Sequence, residues 1–330
     1  MEKIDFVILW VDGEDELWIR QKNQYYNNEL NQNKASVYRD WGILKYWFRG
    51  VEKYTPWVNK IHFVTCGHLP KWLNTNHPKI NIVKHEDIIP KEYLPTFSAN
   101  SIELNIHKIE GLSEKFVYFN DDTFIISSMK KEDFFDKGLP CDSAIMSATI
   151  PSVKNEIFTY ILFNDLLYIN ANFDKKDLKG HLGKWLNYKY GRAVLKNLYY
   201  LPLAKFTGFE NLHLPNSYLK SVWNEVWEKE PEILNQTISH RFRTKEDVNQ
   251  YIFKYWQLVT GKFVPRHRNI GKCFVIGEDD LTISNAILKQ QYKMICLNDN
   301  PCDDIEFTIL KQKLDTYFSK ILSGKSLFEK

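Results

Sequence analysis

The chain has 330 residues, with 44 Lys or Arg against 41 Asp or Glu for a net charge of +3; hydrophobic residues make up 44% and charged residues 26%. That is the balance of a globular protein of one large domain or two ordinary ones, and it excludes a disordered chain. So small a net charge gives no case for nucleic acid as a partner.

The five cysteines, Cys66, Cys141, Cys273, Cys296 and Cys302, are odd in number and no two have CxxC spacing. This argues against a disulfide framework or a zinc site and for a reducing compartment. The first apolar stretch is too short for a signal peptide, and no run approaches the roughly 18 apolar residues of a spanning helix. A cytoplasmic protein, at most peripheral at the inner face of a membrane, is expected. Aromatics reach 15%, which suits a sugar-handling cleft and an aromatic-rich core equally.

Ile4 to Val11 (IDFVILWV) reads as a central parallel strand, apolar on both faces. Asp12-Gly13-Glu14-Asp15 ends it, and Gly13 allows a tight turn or close approach of backbone to a ligand. Asp15 is expected to cap a helix from Glu16 to Leu30, which leaves Asp12 as a site candidate. Tyr38-Arg39-Asp40 opens a second helix to Tyr54 with Leu44, Trp47, Phe48 and Val51 inward; Arg39 and Asp40 read as a solvated helix end within reach of a ligand. Lys60 to Thr65 and Ile80 to Val83 are strands, and the repeated strand–helix–strand order predicts a doubly wound α/β sheet whose loops converge on one edge. A loop through Ser98 and Asn100 leads into a helix over Ile102 to Ile109, with Glu103 in its first turn and free N–H groups suited to an anion.

Phe116 to Phe119 is a buried strand ending in Asn120-Asp121-Asp122, and apolar residues resume at Phe124. Adjacent carboxylates there are costly unless a cation sits between them, and oxygen ligands suit Mg²⁺ or Mn²⁺. An Asx turn in a hairpin is the plainer alternative. Ser143 to Ala148 suggests one more strand, and Glu156 to Asn170 a helix. Residues 174–205 hold eight Lys or Arg against two Asp; Leu178, Leu182, Trp185 and Leu186 share a helical face, the pattern either of a helix lying on anionic lipid or of an ordinary solvated basic helix. His213 sits in an apolar frame, where a histidine is usually structural. Ser217 to Lys229 reads as a helix. Arg241 and Arg243 precede a further helix expected from Thr244, and two arginines before a helix N-terminus suit a phosphate. Lys272 to Ile276 and Lys293 to Leu297 are late strands, the second delivering Asn298-Asp299 to its end ahead of Pro301.

IDFVILWVDGEDELW, YRDWGILKYWFRGVEKYTPWVNKIHFVT, LPTFSANSIELNIHKIEGLSEKFVYFNDDTF, the His213 segment with HRFRTKED, and CLND together resemble the four blocks of the Stealth family of capsular and exopolysaccharide phosphotransferases. The resemblance implies transfer of a hexose-1-phosphate or N-acetylhexosamine-1-phosphate from an NDP-sugar, in the first instance a UDP-sugar, to a sugar hydroxyl. The donor and a glycan acceptor, lipid-linked or free, would be the partners. It also implies a core resembling the GT-A-like nucleotide-sugar transferases: residues 1–142 and 205–300 as an α/β core with a mostly parallel sheet, 143–204 as a largely helical insertion, and 301–330 as a C-terminal helix. Under it, Asp121, Asp122 and Asp299 hold the metal, Arg243 with Arg241 meets phosphoryl charge, and His213 is the first choice of base with Asp12 second. Asn100, Gly13, Glu103, Asn120 and Asn298 line or orient the donor. A metal-dependent glycosyltransferase and a non-catalytic glycan-binding module are the alternatives.

Overall fold

A strand apolar on both faces must be covered on both, and this requirement organises the computed structural model, which describes residues 2–26, 38–151, 156–300 and 302–330. The first half runs β1 (Ile4–Leu9), α1 (Glu16–Tyr25), α2 (Leu44–Tyr54), β2 (Ile61–Thr65), β3 (Ile80–Lys84), α3 (His85–Ile88), α4 (Ala99–Glu103), β4 (Lys115–Phe119), β5 (Thr123–Ile125), β6 (Phe135–Asp136) and β7 (Leu139–Asp142). There follow α5 (Ile157–Asn172), α6 (Leu182–Trp185), α7 (Val194–Tyr200), β8 (Asn216–Leu219), α8 (Lys220–Lys229), α9 (Pro231–Ser239) and α10 (Tyr251–Val259). The described chain closes with β9 (Val264–Pro265), β10 (Gly271–Val275), α11 (Asp280–Leu288), β11 (Met294–Asn298) and α12 (Asp304–Ile321).

The central sheet has the order β3-β2-β1-β4-β8. β1 pairs in parallel with β2 and β4, β2 with β3, and only β8 runs antiparallel at the edge. The fold is therefore α/β with a mostly parallel sheet wound outward from β1 in both directions. The connection reverses between β1 and β4, and in such sheets ligands bind at the carboxyl ends flanking that reversal. A second sheet has the order β10-β11-β5. The chain leaves the central sheet at Phe119 and enters the second at Thr123, so Asn120-Asp121-Asp122 joins two sheets and is not a hairpin turn. The aromatic content goes mainly into packing: Trp47, Trp185 and Trp223 are fully buried, and Trp223 stacks on Phe253 at 3.9 Å between centroids.

Asp15 caps α1 through a hydrogen bond from Trp18 N, as expected, but the helix ends at Tyr25, with Tyr26 extended, short of the expected Leu30; residues 27–30 and Pro301 lie outside the described residues. The second helix begins at Leu44 rather than Tyr38. Gly42 takes a left-handed φ of 69° and its N–H donates to Asp40 Oδ1 at 2.7 Å, an Asx turn that stops a helix from starting earlier. The helix expected over 102–109 runs over Ala99–Glu103, so Glu103 closes it; Asn105 Nδ2 donates to Ser101 O at 2.8 Å and competes with helix continuation. No strand forms at 143–148, because the Asn197 side chain takes Met146 N and Ala144 O, leaving one bridge from Met146 to Phe209. Ser217 to Leu219 belong to β8, and the helix expected from Thr244 starts at Tyr251.

The basic stretch 174–205 is not one amphipathic helix. It is two 3₁₀ segments with α6 and α7, broken at Gly191 by a φ of 56°. Leu178 and Trp185 enter the main core. Several of its lysines turn to backbone carbonyls: Lys175 to Tyr200 O at 2.6 Å, Lys184 to Gly261 O at 2.6 Å and Lys189 to Pro265 O at 3.0 Å. Counting charge along the sequence overstated the basic face. Among the described residues no helix is long and apolar enough to cross a membrane.

Candidate active site at the sheet reversal

The ends of β1 and β4 open onto a cleft of about 160 Å³ lined by Trp10, Tyr38, Arg39, Asp40, Asp121, Asp122 and Asp299, among others. Gly13 makes its far wall possible. A Cβ at this position would lie 1.8 Å from the Tyr38 carbonyl oxygen, so the close approach Gly13 permits is to the chain's own backbone. That contact seats Tyr38, Arg39 and Asp40 over the strand ends. The Asp12 N–H donates to His68 Nε2 at 2.8 Å and its Oδ1 accepts from Glu14 N at 3.0 Å, which fixes the turn leaving β1.

The three metal candidates meet here. Asp122 is pinned by its own carbonyl, which accepts from Leu297 N at 2.9 Å, and this brings β11 and its terminal Asp299 alongside. Asp122 Oδ1 and both carboxylate oxygens of Asp299 are buried without a hydrogen-bond donor. The nearest cation to Asp299 is Arg39, with Nη1 4.0 Å from Oδ1 and itself 3.1 Å from Cys302 Sγ. Burial raises the pKa of Asp299 despite Arg39. Burial, then the charges of Asp122 and Asp40, push Asp121 up to about 7, an effect tempered by the solvent along its open side. Buried acceptors without donors on Asp122 and Asp299 are what a hard divalent cation relieves, and carboxylate oxygen is the donor type that Mg²⁺ or Mn²⁺ takes.

His213 reaches the same corner from the segment before β8. Its φ is 49°, a left-handed conformation costly for a side chain of this size and held in place by Leu214, whose methyl groups occupy the space a Cβ on Gly271 would need. His213 Nε2 lies 3.3 Å from Asp122 Oδ2. Burial works against the charged ring, but the hydrogen bond and charge of Asp122 outweigh it and raise the pKa. Glu103 is buried, with Tyr118 Oη 2.8 Å from its Oε1 and 2.7 Å from Asn120 Oδ1, while Glu103 Oε2 has no partner. Burial raises the Glu103 pKa, and the Arg243 charge is the largest influence opposing it; Arg243 acts on Tyr38 as well. Arg243 is thus near enough to act electrostatically on both Glu103 and Tyr38.

Arg241 and Arg243 are positioned by Asp247 rather than by a helix end. This fully buried carboxylate accepts from Thr244 N and Oγ1, Asn100 Nδ2 and His240 Nδ1, which ties the 240–244 loop to α4. The Asn100 amide is committed to that contact, and the Arg241 guanidinium to Leu94 O at 3.2 Å and the ring of Tyr25. The Asp247 hydrogen bond raises the pKa of His240, with burial opposing it. The folded pKa lies above the unfolded value of about 6.5, so this stabilisation is complete below that pH and is lost as pH rises through the folded pKa. Urea unfolding of the protein and of His240→Gln should differ by about 1 kcal/mol near pH ~6 and converge at higher pH. A pH-independent difference would remove the ion pair from this account.

The structure therefore lines one cleft with Asp121, Asp122 and Asp299 and sets His213 against Asp122 beside it; Glu103 and Asn120 meet at Tyr118, and the Arg243 charge reaches Glu103 and Tyr38. The structure places Asp12, Gly13, Asn100 and Arg241 in the framework that holds that cleft's walls. Sequence reasoning missed Tyr118 and the cysteines of β10 and β11. Cys273 and Cys296 are paired across the parallel strands with sulfurs 3.4 Å apart, and Cys296 Sγ is 3.4 Å from Asp122 Oδ2. Strand pairing supplies a proximity that CxxC spacing would otherwise have signalled. The hydrogen bond between the sulfurs, helped by the His213 charge, holds the Cys273 thiol down at about 7 against the effect of burial, and the same bond with burial pushes Cys296 up.

Two family models match the chain: Stealth protein CR1, conserved region 1, over residues 2–29, and Stealth protein CR2, conserved region 2, over residues 37–142. The capsular polysaccharide phosphotransferase WcwK of Streptococcus pneumoniae is 46% identical over 334 residues, covering 100% of this chain and 99% of that one. The exopolysaccharide phosphotransferase cps2G of Lactiplantibacillus plantarum is 42% identical over 329 residues, covering 99% and 96%. Among solved structures, the galactosyltransferase LgtC in complex with donor and acceptor sugar analogs aligns over 93% of this chain and 95% of its own, at 11% identity and a TM-score of 0.40, a likeness too loose to argue from.

Proposed function

This chain belongs to the Stealth family and is a phosphotransferase, and we propose that it moves a sugar-1-phosphate from a nucleoside-diphosphate sugar to a glycan hydroxyl, forming a phosphodiester of a surface polysaccharide. What supports this reading is Asp122, which lines the cleft at the sheet reversal together with Asp121 and Asp299 and stands 3.3 Å from His213. The acceptor oxygen attacks the β-phosphorus, the bond to the bridging oxygen breaks, and the nucleoside monophosphate leaves. Phosphoryl transfer of this kind is mostly positioning and neutralisation of charge. Asp121, Asp122 and Asp299 are the residues to hold a divalent cation, which when bound neutralises pyrophosphate charge. His213, aligned by Asp122, takes the acceptor's proton; Asp122 steadies the imidazolium that results. Arg243 meets the charge on the transferred group, and Glu103 with Tyr118 orients Arg243 and the sugar.

Incubating the protein with a panel of NDP-sugars, Mg²⁺ and capsular oligosaccharide distinguishes this from glycosyl transfer. Release of the monophosphate with a ³¹P diester resonance is expected. Release of the diphosphate with no phosphorus in the product would make the protein a glycosyltransferase.

We assign the acceptor side to the face around α7. Leu195 is 62% exposed and Tyr199 74% exposed, and with Ile150 and Lys196 they border a cavity of about 460 Å³. An apolar face with Lys196 at its rim suits a lipid-linked acceptor at an anionic membrane surface. Co-sedimentation with anionic vesicles should be lost in a Leu195→Ser, Tyr199→Ser double variant; unchanged binding would remove the face from this role.

A further inference from the structure

We infer that Asp122, His213 and Cys296, with Cys273 in reserve for the fourth position, form a binding site for a thiophilic divalent cation of the zinc class. This site shares only Asp122 with the oxygen set of Asp121 and Asp299. The ligating atoms of Asp122, His213 and Cys296 all lie within 4.8 Å of one another. Tetrahedral Zn²⁺ bonds sulfur at about 2.3 Å and nitrogen or oxygen at about 2.0 Å, which sets its ligand atoms about 3.3–3.8 Å apart. Cys296 Sγ to Asp122 Oδ2 is 3.4 Å, His213 Nε2 to the same oxygen is 3.3 Å, and Cys296 Sγ to Cys273 Sγ is 3.4 Å.

The imidazole–carboxylate distance decides between two readings of this cluster. A charge-assisted N–H···O⁻ bond closes to about 2.7–2.9 Å. His213 Nε2 and Asp122 Oδ2 stand 3.3 Å apart, outside that range. Two ligands of one tetrahedral ion would keep the same separation. His240 and Asp247, a pair with no sulfur beside it, do close to 2.7 Å. Thiolate and imidazole select soft or borderline ions, whereas Mg²⁺ and Mn²⁺ prefer the all-oxygen side of the same aspartate. Asp122 and His213 are also the groups the proposed transfer needs, so a zinc-class ion here excludes the reaction. The binding stands independently of the proposed function; the inhibition rests on it.

Titration of the protein with Co²⁺ tests the site without any turnover measurement. One equivalent per chain is expected to give a thiolate-to-cobalt charge-transfer band, displaced by Zn²⁺ and not by Mg²⁺, and lost in Cys296→Ser. Zn²⁺ should also slow alkylation of Cys273, the partly exposed thiol beside Cys296 in the unaltered protein, read by peptide mass, which keeps the test valid if the variant fails to fold. Among the described residues another thiol with an imidazole near it is Cys66, 3.5 Å from His68 Nε2. A band that survives Cys296→Ser but disappears in Cys66→Ser would overturn the inference, as would the absence of any thiolate band. Once the site is established, one equivalent of Zn²⁺ should abolish the Mg²⁺-supported transfer. A band without any transfer activity, even free of zinc, would instead count against the proposed function alone.

Discussion

Asp122→Asn is expected to lower phosphodiester synthesis on the order of 1000-fold while changing stability by less than about 1 kcal/mol. Two losses coincide at this carboxylate. Its Oδ1 is a buried acceptor with no donor, the atom with most to gain from a cation, and its Oδ2 is the partner of His213. An amide keeps the shape but brings no charge to hold a divalent ion and none to steady a protonated imidazole. The fold should tolerate the change, because the side chain is about a quarter exposed and the bond that fixes this residue in place is made by backbone, from Leu297 N to the Asp122 carbonyl. Steady-state kinetics with a thermal melt separate the two effects. Turnover within a few-fold of normal would take Asp122 out of the chemistry.

Arg243→Lys should cost on the order of 100-fold, nearly as much as Arg243→Ala. A lysine keeps the charge but not the planar fork that grips two phosphoryl oxygens at once. The alanine variant adds a second penalty. Glu103 already has its pKa raised by burial, and the Arg243 charge is the strongest influence holding it down. Without it the carboxyl shifts further toward its neutral form, so the pH at which the residual activity depends on Glu103 ionisation should move up in the alanine variant and less in the lysine one. Equal pH profiles in both would mean that Arg243 and Glu103 do not act on each other.

The parallel strands of the central sheet were legible because β1, β2 and β4 are nearly unbroken apolar runs, whereas the edge strand β8, Asn216–Leu219, carries no such run and reads as the start of a helix. The acidic strand ends were legible for the complementary reason, since charge at the end of a core strand demands a partner. Helix starts were read less well. At Tyr38 the hydrophobic spacing continues correctly into α2, but Gly42 and the Asp40 side chain form a turn that spacing does not register. At Thr244 the local pattern of a cap is real, yet Asp247 spends it on joining His240 and Asn100, a contact across 147 residues that local sequence cannot reveal. The same limit hid Cys273 and Cys296: their closeness is made by strand register, and register is a property of two segments together. His213 looked structural because an apolar frame is how a strained backbone is held.

The join between the two sheets, only three residues long, has a mechanical consequence. Asp121 and Asp122 sit on the hinge itself, while Asp299 is carried by the strand on its far side. Any rocking of the smaller sheet against the larger therefore opens or narrows the gap between these acids. Under the proposed function, a donor and ion held there would brace the gap, so the protein should be stiffest when loaded and loosen when the product leaves.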